Sequence, residues 1–347
     1  CSWHFDGIQY IGQSVAAWRL LMKSKILKKL RESDGYVSGQ ELCDTFGVSR
    51  TAVWKAVNRL KEEGYEIDSV PKKGYRIVSS PTRYSADEIK SRLVTEWAGQ
   101  EIYFCQETGS TNTEINQLAE KGMPHGTLAV AECQTGGKGR RGRGWVSPSG
   151  VNIYMSILLR PDLAPDQASM LTLVMALAAS KAIDECCEVK TQIKWPNDIL
   201  LHRKKIVGIL TEMTAEPDYI NHVVIGIGIN TNQEEMPEEI KKNATSIRIE
   251  TGKVTDRTAL LERVMYHFEN EYDRFEKSRN MGALCADYNE RLVNLNQVVR
   301  VLEPGNEYEG TAEGIDETGK LRVVREDGTK ESVYAGEVSV RGIYGYV

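Results

Sequence analysis

Residues 22–64 show apolar residues at helical spacing, interrupted by capping signals. The apolar residues of segment 26–30 predict one helix. Ser38-Gly39-Gln40-Glu41 is typical of a capping box, so a second helix is expected there, ending at Phe46-Gly47. Ser49 is expected to cap a third helix that ends near Gly64. Two short helices joined by a glycine turn predict a helix-turn-helix.

Strand-like alternation follows. Residues 65–70 and 75–78, joined across Pro71-Lys72-Lys73-Gly74, predict a hairpin with a basic tip. Helix-turn-helix and hairpin together predict a winged helix over residues 22–80. Its expected DNA-binding residues are polar and basic: Ser49, Arg50, Thr51, Lys55, Asn58, Arg59, Lys72 and Lys73. The alternative is a three-helix domain that docks another protein.

Residues 81–291 alternate between helical and strand patterns after a short linker at Ser79-Ser80-Pro81-Thr82, which predicts a mixed α/β domain. Strands are expected at 101–105, 127–133, 152–160, 192–194, 206–213 and 222–229. Helices are expected at 85–97, from Thr111 to Gly122, at 169–186, from Asp256 to Phe268 and at 281–290. Thr111 and Glu114 could form a capping box at the second of these helices.

The last 56 residues, 292–347, change to short alternating strands with glycine turns. A small closed β-barrel of about 50 residues is the expected fold. The predicted strands are 298–302, 308–315, 321–325, 331–334 and 338–340.

Charge is unevenly distributed along the chain. Residues 23–80 hold twelve Lys or Arg against eight Asp or Glu, a net charge of +4. Residues 1–22 are neutral, so residues 81–347 carry −9 of the total of −5. A basic first domain beside an acidic remainder favours DNA binding over protein docking.

The remaining composition excludes several classes of protein. No apolar run approaches the roughly 18 residues that a membrane span needs, so no membrane partner is expected. The seven cysteines lack CxxC spacing, which favours reduced thiols in a cytoplasmic protein without a tightly bound metal. Residues 1–21 have no cap or clean period, and we expect Met22 to be the natural start after an upstream extension.

Residues 134–145, QTGGKGRRGRGW, are the segment most suggestive of chemistry. Neither a helix nor a strand period fits this arginine loop. Glycine lets backbone approach a ligand closely, and arginine offers a fork of donors for phosphate or carboxylate oxygens, so an anionic ligand is expected. Gly137, Gly139 and Gly142 match G-x-G-x-x-G, but Trp145-Val146-Ser147-Pro148 cannot open the helix that a dinucleotide site requires. A solvated basic loop remains the alternative.

Two further motifs lie at the ends of predicted strands. Ser110, Thr111 and Asn112 stand where a strand meets a helix, a position suited to a polar ligand and also to a simple cap. Lys194 of Lys194-Trp195-Pro196-Asn197-Asp198 is flanked by apolar residues. Such a lysine needs a partner if it is buried, unless it reaches the surface.

With these three motifs in order behind a winged helix, residues 22–340 resemble the biotin protein ligases, and among them the bifunctional kind that also represses biotin operons. The resemblance implies an α+β multidomain protein: a winged helix-turn-helix (22–80), a mixed α/β biotin/lipoyl-ligase catalytic domain (81–291) and an SH3-like barrel (292–347). It also implies a ligase in which the biotin carboxylate attacks the α-phosphate of ATP, bound with Mg²⁺, to give biotinyl-5′-AMP. Biotin then passes to a lysine of biotin carboxyl carrier protein.

The resemblance also implies roles for individual residues. Arg140 and Lys194 are the expected catalytic residues. The expected substrate-binding residues are Ser110, Thr111, Asn112, Gln134, Lys138, Gly139, Arg140, Trp145 and Lys194. Lys138 departs from the arginine usual in the family, which keeps the charge and loses bidentate geometry.

The expected partners are the carrier domain of acetyl-CoA carboxylase or another biotin carboxylase, operator DNA, and a second copy of the chain when the adenylate is bound. The family suggests the strand ending at residues 226–230 as the pairing surface. A lipoate ligase and a ligand-responsive repressor without catalysis are the rival functions. Neither is expected to combine the arginine loop with all the other motifs.

Overall fold

The computed structural model describes residues 22–81, 84–302, 307–334 and the backbone of 339–342. The expectation for residues 1–21 lies outside the described residues. The chain divides into two compact units, the first ending at Leu93 and the second beginning at Val94. No helix in these described ranges combines the length and apolarity needed to cross a membrane.

The first unit has helix-turn-helix order. Its elements are α1 (residues 22–31), α2 (Gly39–Phe46), α3 (Arg50–Glu62), β1 (Glu66–Val70), β2 (Gly74–Ser79) and α4 (Ala86–Arg92). Strands β1 and β2 form the predicted antiparallel hairpin. One apolar cluster, which includes Leu27, Leu42, Val53 and Val57, holds α1 to α3 and the hairpin together.

Local hydrogen bonds explain where these helices begin. Ser38 Oγ accepts the Glu41 N–H at 3.0 Å, and Ser49 Oγ accepts the Ala52 N–H at 3.2 Å. Gly47 closes α2 in the left-handed conformation, with φ of 64°. The N-caps predicted at Ser38 and Ser49 are therefore confirmed, whereas the Glu41 carboxylate pairs with Lys29 and does not complete the predicted capping box.

Helix α4 belongs to the first unit and is shorter than the predicted helix 85–97. Its Glu88 is fully buried, pairs with Arg31 at 2.7 Å and accepts the hydroxyl of Tyr65. The helix ends at Arg92 because Leu93 leaves the helical conformation, with a ψ of 127°. Farther along, the N–H groups of residues 96–98, which the prediction placed in the helix, donate to the Glu269 carboxylate.

The second unit is built on a seven-stranded mixed sheet in the order β3-β4-β5-β9-β8-β7-β6. Strands β3 and β4 are parallel and the other neighbours are antiparallel. The strands are β3 (Ile102–Cys105), β4 (Leu128–Ala131), β5 (Ile153–Leu159), β6 (Gln192–Lys194), β7 (Asp198–Leu201), β8 (Lys204–Ala215) and β9 (Ile220–Ile229). Strand β9, which carries residues 226–229 of the suggested pairing surface, lies inside the sheet.

The helices of this unit are α5 (Thr111–Glu120), α6 (Met170–Cys187), α7 (Ile247–Thr251), α8 (Arg257–Ser278) and α9 (Cys285–Arg291). Helix α6 is buried along most of its length, as its apolar sequence predicts. It packs against α8. Asp256 caps α8 by accepting the N–H groups of Thr258 and Ala259.

The C-terminal strands form a five-stranded antiparallel sheet in the order β13-β12-β11-β10-β14. They are β10 (Val298–Leu302), β11 (Tyr308–Ile315), β12 (Leu321–Val324), β13 (Lys330–Val333) and β14 (Ser339–Gly342). The strands agree with the sequence prediction. The predicted closed barrel is not confirmed, because the described strands leave β13 and β14 at opposite edges of the sheet.

The Glu269 carboxylate gives a direct test of how α8 is fixed to the segment after α4. Its two oxygens accept three backbone N–H groups at 2.7–2.8 Å. Glu269→Gln puts an amide donor opposite one of these donors, so we expect the free energy of unfolding to fall by about 1–3 kcal/mol. Urea unfolding measures this loss. Glu276→Gln, at an exposed position of the same helix, should change it by less than about 0.5 kcal/mol, and equal losses would contradict the role of Glu269.

Candidate functional site

The arginine loop leaves the end of β4 and passes over the start of α5. Two isolated β-bridges hold its base: residue 108 pairs with residue 134, and residue 134 also pairs with residue 147. Lys138 and Gly144 form a second antiparallel bridge farther out. A tight turn at Arg140–Gly142, with Arg141 and Gly142 in the left-handed region, closes the tip. The loop predicted to be irregular is therefore a short folded hairpin.

Gln134 fixes this hairpin to the start of α5. Its Oε1 accepts the backbone N–H of Thr111 at 2.9 Å and the Thr111 hydroxyl at 3.1 Å. Its Nε2 donates to Ser147 Oγ at 3.0 Å. One amide side chain thus connects both sides of the loop base to a helix N-terminus.

A buried hydrogen-bond network orients the residues at that helix start. Asn112 Nδ2 donates to Glu212 Oε2 at 2.8 Å and to Leu210 O at 3.3 Å. Ser156 Oγ donates toward Asn112 Oδ1 at 2.6 Å and Thr111 Oγ1 at 2.7 Å. Because these groups are satisfied in one arrangement, Thr111 and Asn112 are held in fixed positions.

The capping box predicted for Thr111 and Glu114 is wrong. Ser110 is the N-cap residue of α5, and its side chain makes no capping hydrogen bond. Thr111 is the first helical residue and its hydroxyl is used by Gln134 and Ser156. Glu114 instead accepts the hydroxyl of Thr108.

Two glycines on neighbouring strands make room for the loop's tryptophan. Gly208 on β8 and Gly228 on β9 are cross-strand partners, and we call this pair the glycine floor. The Trp145 ring lies on it so closely that a Cβ at Gly228 would collide with the indole nitrogen, while one at Gly208 would lie 2.7 Å from Cζ3. Lys205 lies on the same strand as Gly208, and its Nζ stands 5.2 Å from the centroid of the Trp145 ring.

Positive charge is concentrated under the tip of the loop. Arg140 Nη1 donates to Asn197 Oδ1 at 3.0 Å. Burial lowers the pKa of Arg140 below its ordinary value, the carboxylate of Asp198 raises it, and the neighbouring arginines lower it further. Lys194 is buried, at 5% exposure, which excludes the surface lysine considered above. Asp198 forms an ion pair with Lys205 at 2.6 Å.

Two cavities meet beneath Arg140 and Trp145. The first cavity, of about 50 Å³, is lined by every substrate-binding residue predicted from the sequence except Lys194. Its remaining lining residues include Asn197, Lys205, the glycine floor and Gly226. The volume has room for only a few water molecules, because the indole fills the space above the glycine floor.

The second cavity, of about 300 Å³, lies on the other side of Arg140 and contains Lys194 in its wall. Arg141, Arg143 and Asp198 also line it. Met236, Ile240 and Ala244 give it an apolar wall, with the amides of Asn230 and Asn243 beside them. It thus combines positive charge with a surface that can receive a flat ring.

Sequence reasoning missed several residues of this site. Asn197 belongs to the motif at 194–198, but no role is predicted for it. Glu212 and Ser156 lie in ordinary strand patterns. The wall at 236–244 has no strand or helix period of its own. The close spacing of Gly226 and Gly228 was the one available signal, since glycines in a strand mark close backbone approach.

The predicted DNA-binding residues lie in the first unit. Thr51, Lys55 and Arg59 are exposed along α3, and Asn58 is half-buried. Arg50 Nη2 donates to Gln40 Oε1 at 2.8 Å, and Ser49 caps α3. Lys72 and Lys73 are exposed at the hairpin tip. Helix and hairpin therefore present polar and basic side chains to the surface.

Sequence profiles of three families match the chain. The Biotin/lipoate A/B protein ligase family matches residues 104–230, an HTH domain matches 23–76, and the Biotin protein ligase C terminal domain matches 295–341. The bifunctional ligase/repressor BirA of Bacillus subtilis is 37% identical over 326 residues, 92% of this chain and 100% of that protein. The chain belongs to the bifunctional biotin ligase/repressor family. The resemblance noted from the sequence is confirmed.

Further relatives support the same family assignment. The bifunctional ligase/repressor BirA of Escherichia coli is 30% identical over 306 residues, covering 88% of this chain and 92% of that protein. The structure of biotin protein ligase from Aquifex aeolicus in complex with biotin and ATP has a TM-score of 0.62 and 32% identity. It covers 70% of this chain and 99% of the Aquifex chain.

Among the described residues, no group of three or more His, Cys, Asp or Glu side chains is arranged to hold a metal ion.

The contact between Trp145 and the glycine floor predicts how the loop is held closed. Gly228→Ala puts a methyl group against the indole, and such overpacking costs about 1–3 kcal/mol. A loss of 1–2 kcal/mol in loop closure raises the open population by about 5- to 30-fold. Limited trypsin digestion should therefore cleave the variant faster after Arg140, Arg141 and Arg143.

Gly109→Ala is the matched control for this experiment, because its added methyl group would meet nothing within 4 Å. It should be cleaved at the rate of the unaltered protein. Equal cleavage of the Gly228 variant and the unaltered protein would show that the indole does not hold the loop.

Proposed function

We propose that the chain activates biotin with ATP to form biotinyl-5′-AMP at the junction of the two cavities, and transfers the biotin to a lysine of a carrier domain. The first unit would then bind operator DNA as a biotin-dependent repressor. The observation that carries the proposal is the position of Arg140. It stands between a polar cavity and a larger, positively charged cavity, where a carboxylate and an α-phosphate would have to meet.

The first cavity suits the head of biotin. Ser110, Thr111, Asn112 and Gln134 contribute hydroxyl and amide groups to its lining, which match the donors and acceptors of a ureido ring. The Asn112 and Thr111 side chains are preorganised by Ser156 and Glu212. Because the cavity is small, the Trp145 indole would move off the glycine floor when biotin enters and cover the ligand from the loop side.

The second cavity suits the nucleotide. Met236, Ile240 and Ala244 can pack against the flat face of adenine, and the amides of Asn230 and Asn243 can bond its polar edge. Arg143 and Lys194 line the same cavity and can pair with phosphate oxygens. Mg²⁺ would enter with ATP as part of the substrate complex.

The first step is a displacement at phosphorus. A biotin carboxylate oxygen attacks the α-phosphorus, the bond to the bridging oxygen breaks, and pyrophosphate leaves with the electron pair. No protein nucleophile is needed, so the protein contributes position and positive charge. Arg140, fixed by Asn197, and Lys194 are the groups proposed to stabilise the charge that builds up on the transferring phosphate.

The second step is attack of the carrier lysine on the acyl carbonyl, with AMP as the leaving group. The attacking amine must first lose a proton, because an unperturbed lysine with a pKa of about 10.4 is almost fully charged at neutral pH. Asp198 is a poor candidate for that proton, since its carboxylate already pairs with Lys205. We assign Asp198 to positioning Lys205 beneath Trp145.

The domain and partner assignments follow from the same proposal. The domains are proposed as 22–80, 81–291 and 292–347; helix α4 follows the first of these boundaries in sequence but belongs to the first compact unit. The C-terminal sheet is proposed to close as an SH3-like barrel. The carrier partner is proposed to belong to acetyl-CoA carboxylase, supported by 32% identity over 240 residues to the biotin–[acetyl-CoA-carboxylase] ligase of Mycobacterium tuberculosis. Dimerisation in the adenylate-bound state would place two winged helices on two half-sites of DNA.

The role of Lys194 predicts a variant that separates binding from chemistry. Lys194→Gln removes a preorganised positive donor, which typically costs about 10²–10³ in rate. We expect biotin- and ATP-dependent pyrophosphate exchange to fall by that factor. Biotin affinity measured by calorimetry should be largely retained, because Lys194 lines only the second cavity.

Lys190→Gln is the matched control, since Lys190 is an exposed lysine four residues earlier. It should exchange pyrophosphate at the normal rate. An unchanged exchange rate in the Lys194 variant would remove this residue from the chemistry.

The role of Arg140 predicts a leaking enzyme. Arg140→Gly loses the bond to Asn197 that anchors the loop tip, so the loop should close less firmly over the adenylate. We expect the variant still to form biotinyl-5′-AMP and to release it, so that an added unrelated protein becomes biotinylated on surface lysines. Mass spectrometry of that protein measures the release.

Arg141→Gly introduces the same residue one position later, where the backbone already has a φ of 57° that glycine tolerates. It leaves the bond between Arg140 and Asn197 in place, so this variant should release several-fold less adenylate than the Arg140→Gly variant. If the Arg140 variant labels only the carrier domain, the loop does not retain the adenylate through Arg140.

A further inference from the structure

Helix α3 carries a large apolar side chain that the first unit does not use. Trp54 is 55% exposed, whereas Val53, Val57 and Leu60 of the same helix are buried. The apolar cluster of this unit includes those three residues, and Trp54 belongs neither to it nor to the partly buried residues packed against it. Folding of the unit therefore does not account for a tryptophan at this position.

The surroundings of Trp54 are those of a surface that meets an anion. Arg50 lies one helical turn before it and Asn58 one turn after it, on the same stripe of the helix. Lys55 and Arg59 are exposed on the adjoining stripe. In the part of the chain that the structure describes, no hydrogen-bond acceptor or aromatic ring contacts the Trp54 indole. The ring and its N–H are both available to a partner.

The position within the fold selects one kind of partner. Trp54 is the fifth residue of the second helix of a helix-turn-helix, and the N-terminal residues of that helix contact base edges in the major groove. The main apolar group displayed in that groove is the C5 methyl group of thymine. A flat indole can pack against this methyl group in the groove, while the basic side chains beside it reach the phosphates on either side.

We propose that Trp54 recognises thymine in the operator by packing its indole against the C5 methyl group. This inference rests on the proposed repressor function and adds a specificity-determining residue to the residues predicted from the sequence. The flanking basic residues supply affinity for any DNA through phosphates, whereas Trp54 distinguishes one base pair of each half-site.

The test begins by finding the DNA sequence. Full-length protein with biotin and ATP is used to select binders from a library of randomised duplexes. In the selected consensus each thymine is then replaced singly by uracil, which removes only the methyl group. One position per half-site should lose about fourfold in affinity, the effect of a single buried methyl group.

Trp54→Ala is then measured on the same thymine and uracil duplexes. It should bind the thymine duplex more weakly and no longer distinguish it from the uracil duplex at that position. Trp54→Phe should recover part of the discrimination. The salt dependence of binding should be unchanged in both variants, because no charge is lost. Thermal unfolding should also be unchanged, because Trp54 lies outside the apolar cluster.

Lys55→Ala is the matched control. It should weaken thymine and uracil duplexes equally and reduce the slope of log affinity against log salt by about one. If the Trp54 and Lys55 variants behave alike, or if Trp54→Ala still distinguishes thymine from uracil, the proposal is overturned. If Trp54→Ala binds DNA normally and fails only to dimerise, Trp54 is a protein contact and the proposal is equally overturned. If the unaltered protein selects no sequence, the repressor function itself fails.

Discussion

The site depends on how closely the arginine loop can approach the central strands of the sheet. Gly208 and Gly228 stand opposite each other on β8 and β9, and the absence of side chains there lets the Trp145 indole lie on the backbone. Gln134 holds the other end of the loop by bonding the start of α5 and Ser147. Two contacts at opposite ends thus hold a glycine-rich segment that has no period of its own. Without them its arginines would extend into solvent.

The position of the arginine loop matters for the electrostatics of the proposed reaction. An acyl phosphate is made by bringing a carboxylate to a polyphosphate, and both are negatively charged. In the proposed reaction Arg140 would supply positive charge at the boundary between the two cavities and Lys194 within the second cavity, in a partly buried setting where charge acts more strongly than in water. A loop can deliver this charge and also exclude water afterwards, which a rigid helix or strand could not do as readily.

What the sequence predicted correctly was mostly local. The caps of α2 and α3, the hairpin, Asp256 at α8 and most strands follow from signals within a few residues. The motifs also predict a site made of the arginine loop, Ser110 to Asn112 and Lys194; these residues line two adjoining cavities, and their roles stay predictions. The errors came from longer-range contacts. Residues 96–98 are not helical as predicted, and their N–H groups donate to the distant Glu269. Thr111 is not a cap because Gln134 and Ser156 bond its hydroxyl. The apolar wall at 236–244 is assembled only by the fold.

In the proposed mechanism biotin and nucleotide meet beneath Arg140, with the loop closed over them. A crystal structure of the full chain with biotin and a non-hydrolysable ATP analogue would show whether they do. We expect the ureido ring beside Ser110, Thr111 and Asn112, the adenine against Met236 and Ile240, and the Arg140 guanidinium within hydrogen-bonding distance of the α-phosphate. A structure in which the ligands bind elsewhere and Arg140 points into solvent would contradict it.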